Sequence, residues 1–128
     1  MNKRNFKDLC QLAEKLRSDT GCPWDRKQTI ESMCEHLEEE SQEVVDAIKG
    51  KDHRNLQEEL GDLLFQIIMI AQIAKEDGLF DISDVNEDIA EKIVSRHTWV
   101  FGDDKASTPE EALAMWKKNK EIEKNKKQ

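Results

Sequence analysis

Residues 54–76 read RNLQEELGDLLFQIIMIAQIAKE, and the spacing of their apolar side chains decides the fold. Leu56, Leu60, Leu63, Leu64, Ile67, Ala71 and Ala74 recur at three- and four-residue intervals, the period of an α-helix, with Asp52 ahead to start it and Gly78 behind to stop it. Phe65, Ile68, Met69 and Ile73 fall elsewhere on the circumference, so the helix is apolar nearly all round. Such a helix needs cover on more than one side, and a chain this short can hardly supply it. The pattern therefore predicts a second subunit packed against this helix.

Upstream, residues 30–49 carry Ile30, Met33, Cys34, Leu37, Ser41, Val44, Val45 and Ile48 on one helical face, opposite an almost wholly acidic one, with Gly50 as a left-handed stop. A helix over 3–18 rests on Phe6, Leu9, Leu12, Ala13 and Leu16, and a turn-prone run at 18–23 leads from it into a loop at Trp24-Asp25. Downstream, Val85, Ile89 and Ile93 predict a helix over 84–97, and Thr108-Pro109-Glu110-Glu111 is a capping box that opens a last helix through Leu113 and Trp116. Strand-type alternation is absent. The chain reads as all-α, one domain of about five helices over 1–128, with a basic tail at about 117–128 expected to fray in part.

Of 128 residues, 38% are charged, and the formal net charge is −8. That whole surplus lies in residues 31–62. An acidic chain without a concentrated basic face is a poor partner for nucleic acid or an anionic membrane. The longest apolar run, 63–74, is too short to cross a bilayer. Cys10, Cys22 and Cys34 form no CxxC, and the N-terminus does not resemble a signal peptide, so reduced thiols and a cytoplasmic location are expected.

Within the acidic stretch, Glu40 with Glu43 and Glu59 with Asp62 are each spaced i, i+3, which puts each pair on one face of its helix. Positions 43 and 59 share the midpoint 51, and so do 40 and 62. An antiparallel hairpin that turns at 50–53 therefore sets Glu43 level with Glu59 and Glu40 level with Asp62. Unit charges about 4 Å apart repel by roughly 1 kcal/mol in water and about 4 kcal/mol at an effective dielectric of 20, so protons or a cation must relieve the cluster. An all-oxygen ligand set favours Mg²⁺, with Mn²⁺ as a substitute, and Mg²⁺ leaves positions open for water and phosphate. The alternative is that these are ordinary acids on a solvated helix face. The Glu-x-x-His pairs of di-iron bundles are missing, and 77–88 does not match a calcium-binding EF-hand loop.

Four phrases then stand out: Cys22-Pro23-Trp24-Asp25 followed by Gln28-Thr29; Glu39 through Ile48; Glu59-Leu60-Gly61-Asp62-Leu63-Leu64-Phe65-Gln66; and Glu91-Lys92-Ile93 with Arg96-His97 and Val100-Phe101. In this order they resemble the MazG family of nucleoside triphosphate pyrophosphohydrolases over nearly the whole chain. The resemblance implies a four-helix-bundle core, a homodimer or homotetramer, and Mg²⁺-dependent cleavage of nucleoside triphosphates, deoxy or non-canonical ones included, to the monophosphate and pyrophosphate. By the same resemblance Glu40, Glu43, Glu59 and Asp62 are metal ligands, with Glu40 and Glu43 counted in the catalytic set. Glu39 is a candidate general base or supporting group, although its helix angle points away from the ligand row.

Lys92 and Arg96, spaced i, i+4, can reach phosphate oxygens, or can pair at the surface with Glu91 or Asp88. Trp24 is either a stacking wall for a base, with Asp25 and Arg26 nearby, or a core anchor. Trp116 with Lys120 one turn later fits the late segment of the family or simple packing. Longer family members carry two such domains in tandem, whereas one copy fills this chain. The competing readings are a non-catalytic helical oligomerisation or regulatory module, and a related pyrophosphohydrolase acting on deoxyuridine triphosphate or phosphoribosyl nucleotides.

Overall fold

The computed structural model describes residues 3–127 and is helical throughout, with no strand among the described residues. The chain divides into two compact units, the first ending at Ile82 and the second starting at Ser83.

The first unit holds α1 (Phe6–Leu16), α2 (Pro23–Lys27), α3 (Met33–Lys49) and α4 (His53–Glu76). Helix α1 starts at a capping box in which the Asn5 and Asp8 side chains each accept the other's backbone N–H at 2.9 Å. Trp24 lies in the short helix α2 rather than in a loop. Pro23 fits the first helical position, where its fixed φ is already right and no N–H is needed, and Asp25 follows in the first turn.

Helix α4 packs against both α1 and α3. Its buried residues are Ile68, Met69, Ala71, Ile73 and Ala74. Ile68, Met69 and Ile73 meet Ala13 of α1 and Met33 of α3 in the core, with Leu9, Leu16, Ile30 and Phe65 around them. Of the stripe read from the sequence, Ala71 and Ala74 are buried, whereas Leu60, Leu64 and Ile67 are exposed. A helix apolar all round has no single inward face, so the face that α1 and α3 reach becomes the core.

The turn between α3 and α4 also departs from expectation. Gly50 keeps a right-handed φ of −79°, and Lys51 takes the left-handed conformation at φ 55°. The Lys51 N–H donates to the Ile48 carbonyl and the Asp52 N–H to the Ala47 carbonyl, the paired bonds of a Schellman end. Asp52 then caps α4 by accepting the Asn55 N–H at 3.1 Å. The same motif ends α4, where Gly78 supplies the positive φ of 72° without steric cost.

The second unit holds α5 (Ile82–Arg96, whose first residue closes the first unit), α6 (Thr98–Phe101) and α7 (Pro109–Lys126). Thr108 caps α7 through the Glu111 N–H, and the Glu111 carboxylate reaches back one residue further, to the Ser107 N–H at 2.7 Å. Helix α7 runs to Lys126. Asn119 ties it to the Arg96 carbonyl and the Thr98 hydroxyl, and Glu123 ties it to Arg96 at 3.0 Å. Gln128 lies outside the described residues.

Candidate metal centre

Helix α3 carries Glu40 and Glu43, helix α4 carries Glu59 and Asp62, and the turn at 50–52 folds one helix back on the other. One carboxylate oxygen from each of the four residues lies within 4.8 Å of the other three. Glu40 and Glu59 are half-buried at the helix seam, and Glu43 and Asp62 stand at its open edge. The Oε2 atoms of Glu40 and Glu59 are shut off from solvent with no hydrogen-bond partner. A buried carboxylate oxygen without a donor is costly.

The electrostatics follow from this crowding. Desolvation, then repulsion from Glu43 and Asp62, pushes the Glu40 carboxyl up. The Glu59 carboxyl is pushed up to about 7, first by a hydrogen bond shared with the Glu43 carboxyl, then by desolvation and by the charges of Glu43, Asp62 and Glu40. Two carboxyl groups can share a hydrogen bond only if one of them holds a proton, so without a cation the cluster recruits protons instead. Four oxygen donors, two with orphaned atoms, are a set that could hold a hard metal ion.

The remaining predicted residues fall in both units. Glu39 is exposed on α3, and its charge adds to the upward push on Glu40. Trp24 is 55% exposed and therefore no core anchor; its indole meets the His36 ring edge-on, with centroids 5.3 Å apart. His36 lies one turn before Glu40 on α3, so Trp24 stands at the upstream end of the α3 carboxylate row. Asp25 is half-buried with its carbonyl engaged by Arg17, and Arg26 donates to the Asp19 carbonyl at 3.0 Å.

In the second unit, Arg96 pairs with Glu123 rather than with Glu91 or Asp88, and its guanidinium lies 5.0 Å from the Trp116 ring centroid. Lys120 approaches the same ring at 5.3 Å. Lys92 lines a groove with Asp88, Glu91, Glu123, Lys126 and Lys127. Arg17, Gln28, Asn119 and Glu123 escaped the sequence reading. Gln28 lay within a quoted phrase without a role.

An antiparallel pair of helices in an all-helical protein, with four carboxylates closing on one point, defines a helical protein with a potential acidic cation site. Residues 28–101 match the MazG nucleotide pyrophosphohydrolase domain, a match that runs through both units. The chain belongs to the MazG family. It is 46% identical over 122 residues to the nucleoside triphosphate pyrophosphohydrolase/pyrophosphatase MazG of Thermotoga maritima, covering 95% of this chain and 46% of that protein. It is 42% identical over 113 residues to the nucleoside triphosphate pyrophosphohydrolase of Escherichia coli K12, covering 88% of this chain and 43% of that one. The chain thus spans less than half the length of these curated relatives. The crystal structure of a mazG-related protein from Thermotoga maritima superposes with a TM-score of 0.75 at 37% identity, over 90% of this chain and 98% of that one.

Proposed function

We propose that this chain hydrolyses nucleoside triphosphates between the α and β phosphates, giving a nucleoside monophosphate and pyrophosphate in a reaction that depends on Mg²⁺, with Mn²⁺ as a substitute. The observation that carries this reading is the closure of four carboxylates, two with orphaned buried oxygens, in a chain whose family relatives are named for that activity. Glu40, Glu43, Glu59 and Asp62 would hold the ion. When bound, it supplies charge neutralisation for phosphate oxygens and acidifies a coordinated water.

The chain's own side chains supply the rest. Glu39, exposed beside the cluster, is the candidate acceptor for the proton that water loses as its oxygen bonds to phosphorus. Lys92, Arg96 and Lys120 are cations suited to phosphate oxygens, and Glu123 accepts from Nε of Arg96. Trp24 and Trp116 offer faces for stacking a base, and Asp25 and Arg26 border Trp24.

The same reading makes the working form a homodimer or homotetramer. Leu60, Leu64 and Ile67 of α4 and Phe6 and Leu12 of α1 are exposed, and a second copy would cover them. No described helix is long and apolar enough to cross a membrane, and the three cysteines are free. We place the enzyme in the cytoplasm, and the net charge of −8 is the ground for expecting neither nucleic acid nor an anionic membrane as its partner.

The test is incubation with a panel of nucleoside triphosphates, with and without Mg²⁺, assaying pyrophosphate against orthophosphate. Pyrophosphate plus monophosphate is expected, and orthophosphate as the direct product would refute cleavage at the α–β bond. Glu43→Gln should cut turnover by about 100-fold or more while the protein still folds, since it removes one charge from a repulsive cluster. Unchanged turnover would remove Glu43 from the ligand set.

A further inference from the structure

Arg17 ends α1 far from the carboxylates in sequence, yet its side chain is only 9% exposed, and all three guanidinium nitrogens donate hydrogen bonds. Nε and Nη2 donate to the Glu76 carboxylate at the far end of α4, at 2.9 to 3.2 Å. Nη1 donates to two backbone carbonyls, those of Asp25 at 2.5 Å and Gln28 at 2.8 Å. Gln28 is itself buried; its amide donates to the Trp24 carbonyl at 3.0 Å, and its side-chain oxygen accepts from Ser32 at 2.7 Å. Every bond in this clasp falls on the backbone around Trp24 or on the anchor that holds the clasp still.

The indole so placed does not fill the core. It is more than half exposed, and its recorded ring contact is with His36, which shares a helix face with Glu40 and Glu43. A buried cation is costly unless it is paired and hydrogen-bonded, as Arg17 is with Glu76 and the Asp25 and Gln28 carbonyls. We infer that Arg17 is a positioning residue: through the Asp25 and Gln28 carbonyls it sets Trp24 at the His36 end of the carboxylate row, where the free indole face bounds the space open to a planar heteroaromatic base. This inference rests on the triphosphate reading above for the identity of what stacks, but not for the placement of the ring.

The test combines Arg17→Lys, Trp24→Ala and the double variant. Lysine keeps the charge but cannot serve a carboxylate and two carbonyls from one planar fork. The first readout needs no turnover: the ring-proton NMR shifts of His36, displaced in the wild type by the Trp24 ring current. Arg17→Lys should move them toward their Trp24→Ala values while the fold is kept. The second readout is steady-state kinetics. Losing the stacked face should raise KM about three- to tenfold with kcat within about twofold, and Arg17→Lys should add nothing to KM once Trp24 is alanine.

Wild-type His36 shifts in a folded Arg17→Lys protein, or KM increases that multiply in the double variant, would overturn the inference. Glu76→Gln loosens the anchor without touching the carbonyl bonds, and should show a smaller form of both effects even if Arg17→Lys fails to fold. A wild-type protein that releases no pyrophosphate from any triphosphate would refute the enzymatic reading, and the His36 shifts would still decide whether Arg17 places Trp24.

Discussion

The two units hold their helices in different ways. In the first, Ala13, Met33, Ile68, Met69 and Ile73 form a buried core, and the carboxylate cluster is built on two helices that share it. In the second, no described residue is fully buried, and Ile89, Ile93, Val94 and Leu113 remain exposed. Its order rests on polar ties: the Thr108 cap, the two bonds of the Asn119 amide, the Arg96–Glu123 pair and the stacking of Arg96 and Lys120 on Trp116. Such ties contribute about 1 kcal/mol each, against about 2–3 kcal/mol for burying a large aliphatic side chain. The candidate metal ligands thus stand on helices that share a buried apolar core, and Lys92, Arg96 and Lys120 stand on helices held by polar ties.

The sharpest way to break this contrast is a pair of truncations. Ile68→Ala should cost about 2–5 kcal/mol in denaturant unfolding, because it empties a packed core position. Ile93→Ala, at an exposed site, should cost about 0.5 kcal/mol or less. Equal losses would show that the second unit has a core of its own, supplied by a neighbour in solution.

A smaller effect comes from pH. Glu59 binds its proton more tightly folded, with a pKa of about 7, than unfolded, near 4.5, so its contribution is fully present below about 4.5 and is lost as pH rises toward 7. Glu40 shifts the same way. Glu76 and Glu123 are held low by Arg17 and Arg96; their contribution is present above the ordinary carboxylate range and lost only as pH falls below it. The metal-free protein should therefore melt lower at pH 7.5 than at pH 5.5, and millimolar Mg²⁺ should raise the pH 7.5 midpoint. A metal-free midpoint that rises across this interval would contradict the crowding of the four carboxylates. The smallest effect concerns Lys51: glycine there should stabilise the hairpin by about 0.5–1 kcal/mol, since it removes the cost of a left-handed side-chain-bearing residue. Destabilisation instead would mean that the Lys51 side chain contributes more than its backbone costs.

The sequence discloses local relations well and long-range choices poorly. The convergence of Glu40, Glu43, Glu59 and Asp62 could be anticipated because two helices joined by a short turn must align positions about a common midpoint. The cap at Thr108 was legible because it lies within four residues. Which face of α4 forms the core was not, since Leu64 and Ile68 are equally apolar and only the docking of α1 and α3 decides between them. Nor was the clasp on Trp24: Arg17 and Glu76 lie 59 residues apart, and nothing near Arg17 announces that its donors go to the carbonyls of Asp25 and Gln28.

The Schellman turn at Lys51 has a consequence for kinetics. All four acids lie between positions 40 and 62, so the cluster assembles when one helical hairpin closes, a step on the order of microseconds to milliseconds in small helical domains. If that hairpin is already closed in the folding transition state, the mutual repulsion of the four acids is met on the way up the barrier. In that case a cation bound there would act chiefly on the rate at which the chain folds, and much less on the rate at which it unfolds.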